Sequence, residues 1–267
     1  MLFRSAMRRT HRPHRTFLSK EKRPQALDAP KTMPAEALPI LQEAPVQLRG
    51  QFVNSSNHTF LVEMQSATPF LAVYKPTRGE RPLWDFPART LTRREVAAYL
   101  VSECLGWQLV PETVYRRRKL PHGPGALQRF IVHNPQQHYF TLDAEHRQRL
   151  RPIALFDLLL NNADRKGGHL LLDENDQLWA IDHGICFHTE PKLRTVIWDF
   201  AGQPIPIELL KDVQRLLDEE ANLRSTLAPL LRPGEIRALL RRAHGLLKTQ
   251  TFPLPNPHER SYPWPPI

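Results

Sequence analysis

The amino-acid sequence predicts an α+β protein with two lobes, in which a small antiparallel β lobe precedes a mainly α-helical lobe. The chain has 267 residues and is 41% hydrophobic, which is enough to bury a sizeable core in one domain or in two lobes that share a cleft. Short strand patterns come first and helical patterns dominate later, so we expect the lobes to comprise residues 41–134 and 135–252. The patterns show no repeat period, and no stretch approaches the roughly 18 uncharged apolar residues of a membrane span.

The formal net charge of +10 is concentrated near the N-terminus. Residues 1–32 hold nine of the 37 Lys and Arg residues but only two of the 27 acidic residues. This composition is similar to that of a transit peptide, although Pro13 interrupts the amphipathic helix that such a peptide forms. We expect residues 1–40 to be a basic, disordered extension, with targeting, anionic-surface binding and a start at Met33 as alternatives. The remaining chain carries little excess charge, so nucleic-acid binding is not expected.

The C-terminal residues 253–267 are the second expected extension, because six of these fifteen residues are proline. Proline removes backbone donors and excludes a helix, so we expect an extended strap that packs on the α lobe through Trp264. An exposed ligand for a module that binds polyproline helices is the alternative. Cys104 and Cys186 belong to no CxxC pair, which argues against a disulfide framework or a thiolate zinc site and favours a cytoplasmic protein.

Three short runs of β-branched, aromatic and polar residues predict the strands of the small lobe, at residues 46–53, 59–64 and 70–75. The turn between the first two, at residues 54–58, consists of small polar residues and a histidine. Its hydroxyl and backbone N–H groups are suited to contact a phosphate, which makes Ser55, Ser56 and Asn57 candidate nucleotide-binding residues. An ordinary hairpin turn is the alternative.

The next two candidates are Lys75, at the end of the third strand, and Glu95, on a predicted helix over residues 92–105. Glu95 lies at the border of the apolar stripe of this helix. Each residue alone is typical of a solvated charge, at a sheet edge or on a helix face. A strand lysine followed about twenty residues later by a helix glutamate is, however, the arrangement by which kinases hold the lysine against nucleotide phosphates. The sequence therefore predicts that both residues contribute to nucleotide binding.

Two further strands are predicted at residues 113–116 and 125–132. The second would lead into a hinge between the lobes, where backbone groups could bind the edge of an adenine, and a plain core strand is the alternative. Helical patterns at residues 206–217 and 234–247 complete the α lobe.

The most specific pattern in the chain is an apolar helix that ends abruptly in a polar loop. The helix covers residues 153–160, and the loop contains Asp164 and His169. Two short strand patterns follow, at residues 170–172 and 178–181. The second strand leads into Asp182. A hairpin brings its two ends together, so we expect the two aspartates and the histidine to converge.

The motifs around these residues resemble those of the phosphatidylinositol 3-/4-kinase superfamily of atypical kinases. DRKGGH, which begins at Asp164, resembles the DRxxxN catalytic loop, and DHG, which begins at Asp182, resembles the DFG motif. In outline the chain is also similar to the HipA-like kinases. The resemblance implies a two-lobed protein-kinase-like fold that binds ATP with Mg²⁺ or Mn²⁺. It implies that Asp164 orients or deprotonates an acceptor hydroxyl, that Asp182 binds metal, and that Lys75 pairs with Glu95.

His169 stands where the superfamily usually has asparagine. Mg²⁺ prefers oxygen ligands, whereas imidazole suits transition metals, so we expect His169 to bind Mn²⁺ or to form a hydrogen bond with Asp164 instead. The resemblance implies an acceptor that is a protein, a small molecule or a lipid. The short loop after Gly184 contains Lys192 and Arg194, which do not by themselves specify a phosphorylated lipid.

Two other functions are compatible with the sequence. The altered loop and His169 could abolish transfer while the fold is kept, so that the chain would bind nucleotide without turnover as a pseudokinase or a nucleotide-binding regulator. A phosphoester hydrolase could instead bind a transition metal through histidine and aspartate, and it would leave Lys75 and Glu95 without a role. The candidate ligands in that case are Asp164, His169, Asp182, His183 and His188.

Overall fold

The structure is a computed structural model that describes residues 37–52, Ser55 and residues 57–267. Within these residues the predicted α+β architecture is confirmed, with an antiparallel sheet in one lobe and mainly helices in the other. Ser56 and most of the expected basic extension lie outside the described residues. Among the described helices, none is both long and apolar enough to cross a membrane.

The small lobe is built on a five-stranded sheet. Its strands are β1 (Val46–Gln51), β2 (Phe60–Met64), β3 (Phe70–Pro76), β4 (Thr113–Arg116) and β5 (Gly125–Arg129). They pair antiparallel in the order β1-β2-β3-β5-β4. In β3, Phe70, Ala72 and Tyr74 are buried and alternate with half-buried residues, because successive side chains of a strand point to opposite faces. Lys75 therefore points away from the buried face and toward the cleft.

Helix α1 (Ala37–Glu43) covers the buried face of this sheet. Ala37 and Leu41 pack in one apolar cluster with the buried residues of β2 and β3. The helix begins inside the range 1–40 that the sequence assigns to the basic extension. Its apolar residues cover one face of the sheet and so remove the apolar side chains of that face from water.

Helix α2 (Leu91–Leu105) follows β3 and begins one residue before the predicted start. Glu80 caps it by accepting hydrogen bonds from the backbone N–H groups of Leu91 at 3.1 Å and Thr92 at 2.9 Å, two groups that an isolated helix leaves unpaired. Gly106 ends the helix in the left-handed conformation, with φ 72°, which glycine adopts without steric cost. Both ends of the helix are thereby fixed.

The large lobe contains five helices and one short hairpin in the described residues. Its elements are α3 (Ala144–Gln148), α4 (Arg151–Leu160), β6 (Leu170–Leu172), β7 (Leu178–Ala180), α5 (Ile207–Asp218), α6 (Glu220–Leu227) and α7 (Pro233–Thr249). The helices α4, α5 and α7 and the β6–β7 hairpin lie within two residues of their predicted positions. The short helices α3 and α6 were not predicted, because two turns or fewer give too little periodicity to recognise.

The C-terminal strap lies on the large lobe, but the expectation that Trp264 holds it there is wrong. The Trp264 side chain is 77% exposed. The strap is attached instead through its carbonyl groups: Ser261 accepts a hydrogen bond from Trp198 Nε1 at 3.2 Å, and Pro266 accepts one from the backbone N–H of Gly167 at 2.7 Å. A proline-rich segment has many backbone acceptors and few donors, so it attaches most readily by accepting.

Candidate active site between the lobes

A cleft of about 590 Å³ lies between the two lobes. It contains all of the described candidate residues: Ser55, Asn57, Lys75, Glu95, Asp164, His169 and Asp182. The small lobe supplies the first three, α2 supplies the glutamate, and the loops on either side of the β6–β7 hairpin supply the other three. The structure therefore brings together residues that are up to 127 positions apart in the chain.

Lys75 forms ion pairs with two carboxylates of the cleft. It reaches from β3 to Glu95 on α2, and its Nζ also donates to Asp182 Oδ1 at 3.0 Å. Glu95 accepts a further hydrogen bond from the backbone N–H of His183 at 2.9 Å. Desolvation would lower the pKa of Lys75, but the carboxylates of Asp182 and Glu95 outweigh it and raise the pKa. Lys75 is therefore a fixed positive charge in the cleft.

The two carboxylates that contact Lys75 differ in their surroundings. Burial raises the pKa of Glu95, and the neighbouring Lys75 offsets this only in part. Desolvation would raise the pKa of Asp182 too, but there the charge of Lys75 outweighs it and the pKa lies well below the usual range. The Glu95 side chain is 4% exposed and that of Asp182 is 48% exposed. Asp182 is thus the ionised carboxylate that a ligand in the cleft can reach.

His169 and Asp182 face each other at the open end of the β6–β7 hairpin, where β6 begins and β7 ends. Its Nε2 lies 3.2 Å from Asp182 Oδ2, and its Nδ1 accepts a hydrogen bond from the backbone N–H of Lys166 at 3.4 Å. Burial lowers the pKa of His169 to about 4, so the ring is neutral at pH 7 and carries its proton on Nε2. The alternative hydrogen bond to Asp164 is not the one formed, because the ring is directed at Asp182.

Asp182 and His169 suit a divalent metal that is bound together with a nucleotide. In the described part of the chain, no group of three or more His, Cys, Asp or Glu side chains is arranged to hold a metal ion. Mg²⁺ is commonly bound by one or two carboxylates, with substrate phosphates and waters completing the coordination shell. One ionised carboxylate and one neutral imidazole fit that pattern, and the imidazole favours Mn²⁺ over Mg²⁺.

His183 and His188, the other ligands of the hydrolase alternative, are engaged elsewhere. His183 is fully buried, and its Nε2 lies 2.7 Å from Arg165 Nη2. His188 Nε2 lies 3.1 Å from the backbone oxygen of Asp85. The hydrolase alternative therefore has no assembled metal site among residues 37–52, Ser55 and residues 57–267.

Asp164 lies in the polar loop that follows α4, four residues after the helix ends. Its backbone N–H donates to Asn162 Oδ1 at 3.0 Å, and Asn162 in turn donates to Asp157 Oδ1 at 2.9 Å. Lys166 Nζ lies 3.5 Å from Asp164 Oδ2. Burial raises the pKa of Asp164 to about 6, and the positive charge of Lys166 opposes this. A carboxylate with a pKa near neutrality is suited to accept a proton at physiological pH.

The loop that carries Asp164 is built on a fully buried ion pair. Arg165 and Asp157 are both 0% exposed, and Arg165 Nε donates to Asp157 Oδ2 at 3.0 Å. Arg165 Nη1 also donates to the backbone oxygen of Ile181 at 2.7 Å. One guanidinium thus joins helix α4 to the segment that leads into Asp182, which fixes the two aspartates of the cleft relative to each other.

Asp157, Arg165 and Lys166 were not predicted as site residues. A signal for the first is present in the sequence, because Asp157 is the one charged residue within the apolar run of helix α4. A buried carboxylate requires a cationic or hydrogen-bonding partner, and Arg165 is the neighbouring arginine of the motif. No comparable signal separates Lys166 from an ordinary surface lysine.

The small-lobe side of the cleft is polar at one end and apolar along its walls. Ser55 Oγ lies 2.9 Å from Thr59 Oγ1 at the end of the same turn, whereas Asn57 Oδ1 accepts the backbone N–H of Arg81 at 2.7 Å and so joins the turn to the segment before α2. The apolar lining includes Val73, Ile131, Leu171 and Ile185. Apolar walls with a few polar groups are typical of a site for a flat, partly apolar ligand.

Comparisons with known proteins agree with this geometry. The family model described as phosphatidylinositol 3- and 4-kinase matches residues 88–247. A Mycobacterium tuberculosis protein, Rv2133c, is 40% identical over 262 residues, covering 85% of this chain and 94% of the relative. The structure of hydra Fam20 with sugar is similar with a TM-score of 0.52 at 13% identity, covering 79% of this chain and 87% of that one. The Helicobacter pylori proinflammatory kinase CtkA is similar with a TM-score of 0.50 at 14% identity, covering 79% and 94%. At these identities the two structures support the fold alone.

Proposed function

Since the chain belongs to the phosphatidylinositol 3- and 4-kinase family, we propose that it uses ATP and a divalent metal to phosphorylate a hydroxyl group. The observation that carries this proposal is the convergence of three groups in one cleft: the Lys75–Glu95 ion pair, Asp182 within 3.0 Å of Lys75, and Asp164. In kinases these groups hold the phosphates, the metal and the acceptor hydroxyl, respectively.

The small lobe and Lys75 would bind the nucleotide. The apolar walls of the cleft would enclose the base, and the Lys75 ammonium would contact the phosphate oxygens. Glu95 keeps that ammonium in place, since it is 4% exposed and receives a backbone hydrogen bond of its own. Ser55 and Asn57 line the same cleft and would add backbone or side-chain donors to the phosphates.

Asp182 and His169 would hold the metal, which when bound neutralises charge on the phosphate oxygens. The low pKa of Asp182 keeps the carboxylate ionised at any physiological pH. The metal choice between Mg²⁺ and Mn²⁺ would depend on His169, because imidazole is the softer of the two ligands.

Asp164 would accept the proton of the attacking hydroxyl. The oxygen of that hydroxyl forms a bond to the γ-phosphorus, the bond from the γ-phosphorus to the bridging oxygen of ADP breaks, and ADP leaves. The pKa of about 6 suits Asp164 for this role, and Lys166 places a positive charge beside the transferred group.

The loop after Gly184 gives limited information about the acceptor, which would be a protein, a small molecule or a lipid. Lys192 Nζ forms an ion pair with Asp85 Oδ2 at 3.0 Å, and both side chains are largely buried. This lysine is therefore not free to meet a phosphorylated headgroup, which favours a protein or small-molecule hydroxyl over a phosphorylated lipid.

A nucleotide-binding regulator without turnover is the second candidate, and His169 is the observation that favours it. The Nδ1 lone pair accepts a hydrogen bond from Lys166, while the Nε2 proton faces Asp182. The proton must move from Nε2 to Nδ1 before Nε2 can bind a metal, and Nδ1 then no longer accepts the hydrogen bond from Lys166. This cost weakens the metal site relative to one with asparagine.

The test is calorimetric ATP binding with Mg²⁺ or Mn²⁺, paired with transfer of the γ-phosphoryl group to the protein itself and to cell extract. Asp164→Ala should lower transfer about 10²- to 10⁴-fold and leave ATP affinity nearly unchanged, because in this proposal its carboxylate would not be a main phosphate or metal ligand. Asp218→Ala, at the exposed end of α5, is the matched control.

Each outcome of this experiment decides between the candidates. Binding without transfer by the unmodified protein would favour the nucleotide-binding regulator. Absence of binding with either metal would overturn the kinase proposal. Equal transfer by Asp164→Ala and the unmodified protein would show that another group accepts the proton.

A further inference from the structure

Helix α2 packs against both lobes, and many of its buried residues extend the core of the large lobe. Ala97, Tyr99, Val101 and Leu105 pack in the same apolar cluster as the buried residues of α4, α5 and α7. The apolar cluster under the sheet of the small lobe includes no residue of α2 among the described residues, although the helix also contacts β4 and β5. Movement of the helix away from the large lobe would therefore expose apolar surface of the main core.

Arg94, the residue before Glu95, joins the helix to two parts of the large lobe. Its side chain is 1% exposed, and its Nη1 donates to the backbone oxygen of Cys186 at 2.6 Å. Its Nη2 forms an ion pair with Glu235 at the start of α7, and Glu235 also accepts the backbone N–H of Arg232 at 2.8 Å. The guanidinium thus connects α2 to the segment after Gly184 and to a large-lobe helix.

The chain before α2 is fastened to the same region by separate contacts. Asp85 pairs with Lys192 at 3.0 Å, and its backbone oxygen lies 3.1 Å from His188 Nε2. The Phe86 ring packs against the guanidinium of Arg94, whose central carbon lies 4.9 Å from the ring centroid. The start of α2 is therefore held from two sides, by Arg94 and by the segment that precedes the helix.

We propose that Arg94 is a positioning residue that, with Glu235, holds Glu95 in place before nucleotide binds. This inference rests on the proposed function, because it concerns how the partner of Lys75 is fixed. Because Arg94 is the residue before Glu95, its buried contacts with Cys186 and Glu235 limit how far the glutamate can move away from Lys75.

The decisive variant is the double replacement Arg94→Met with Glu235→Leu. Either single replacement leaves one buried charge without its partner and should lower the melting temperature, whereas the double replacement removes both charges and should recover much of it. Phosphoryl transfer by the double variant should nevertheless remain at least about 10-fold low, because Glu95 is no longer held in position. A purely structural role would restore turnover together with the melting temperature.

Arg93→Met is the matched control, since Arg93 lies on the same helix and only partly buried, 5.7 Å from the Tyr115 ring centroid. It should leave turnover unchanged. A second readout needs no turnover: the backbone N–H of His183 donates to Glu95, so its hydrogen exchange reports the position of the glutamate. We expect this exchange to be at least about 10-fold faster in the double variant and unchanged in Arg93→Met.

The two readouts separate the failure of this inference from that of the proposed function. If the unmodified protein transfers no phosphoryl group, the proposed function is overturned. Hydrogen exchange of the His183 backbone N–H would still test the role of Arg94 in that case. Unchanged His183 exchange in the double variant, with or without normal turnover, would overturn the positioning role.

Discussion

Two clusters of the same residue types lie in the large lobe, one buried beneath the candidate catalytic loop and one on the outer surface. The buried cluster joins Asp157, Arg165 and His183, all 0% exposed. The outer cluster surrounds His146 in α3, whose Nδ1 lies 2.8 Å from Asp143 and whose Nε2 lies 2.7 Å from Asp176. Composition alone does not distinguish the two clusters.

The two histidines show what burial changes. Burial lowers the pKa of His183 well below its usual range, and the adjacent Arg165 acts in the same direction. Hydrogen bonds to Asp176 and Asp143 raise the pKa of His146. The buried histidine is a neutral acceptor for an arginine, whereas the two carboxylates beside the outer one favour its protonated form. The buried cluster therefore holds the candidate catalytic loop in position against α4, whereas the outer cluster only adds charge interactions that solvent screens.

The largest expected effect on stability comes from breaking the buried cluster. Arg165→Met leaves Asp157 as an uncompensated buried charge and should lower the free energy of unfolding by about 3 to 5 kcal/mol. Arg149→Met, which removes an exposed ion pair to Asp176 in the outer cluster, should cost at most about 1 kcal/mol. Urea denaturation of both variants measures the contrast. Equal losses would show that burial does not separate the two clusters.

The sequence predicted the elements that carry strong local patterns. The strands of the small lobe and the helices α4, α5 and α7 lie close to their predicted positions, because their apolar residues recur with a clear period. The cleft residues could be proposed because DRKGGH and DHG flank a hairpin, which constrains where both aspartates lie. Their chemical roles remain proposals that the variants above test.

The residues that support the site were harder to predict, because their partners are distant in the chain. Arg94 meets Glu235 across 141 positions, and nothing in the local pattern of α2 marks that arginine as buried. Trp264 was expected to anchor the strap because large aromatic residues are usually buried, but backbone carbonyls anchor it instead. Long-range polar contacts leave little periodicity in a single sequence.

Asp182 lies outside both clusters and is intermediate between them in exposure: its carboxylate pairs with Lys75, yet the side chain is 48% exposed. Asp182→Asn should weaken metal-dependent ATP binding by at least about 10-fold, since the neutral amide is a poorer metal ligand. The free energy of unfolding should change by no more than about 1 kcal/mol, as for other half-exposed ion pairs. Calorimetry with Mn²⁺ and urea denaturation measure the two quantities, with Asp218→Asn as the surface control. Unchanged nucleotide affinity would remove Asp182 from the metal site.

The smallest expected effect is a pH-dependent contribution of the outer cluster. The folded-state pKa of His146 is raised, so its contribution to stability is complete below its unfolded pKa and is lost as pH rises through the folded value. The pKa values of Asp143 and Asp176 are lowered by their hydrogen bonds to the backbone and side chain of His146 and to Arg149, so their contribution is lost only as pH falls through those low values. His146→Gln should therefore lower the melting temperature more at about pH 5.5 than at about pH 8.5. Thermal unfolding of this variant at both pH values measures the difference, with His244→Gln on the exposed side of α7 as the control for loss of a surface imidazole. A loss that is equal at both pH values would mean that His146 contributes by packing and not as a cation.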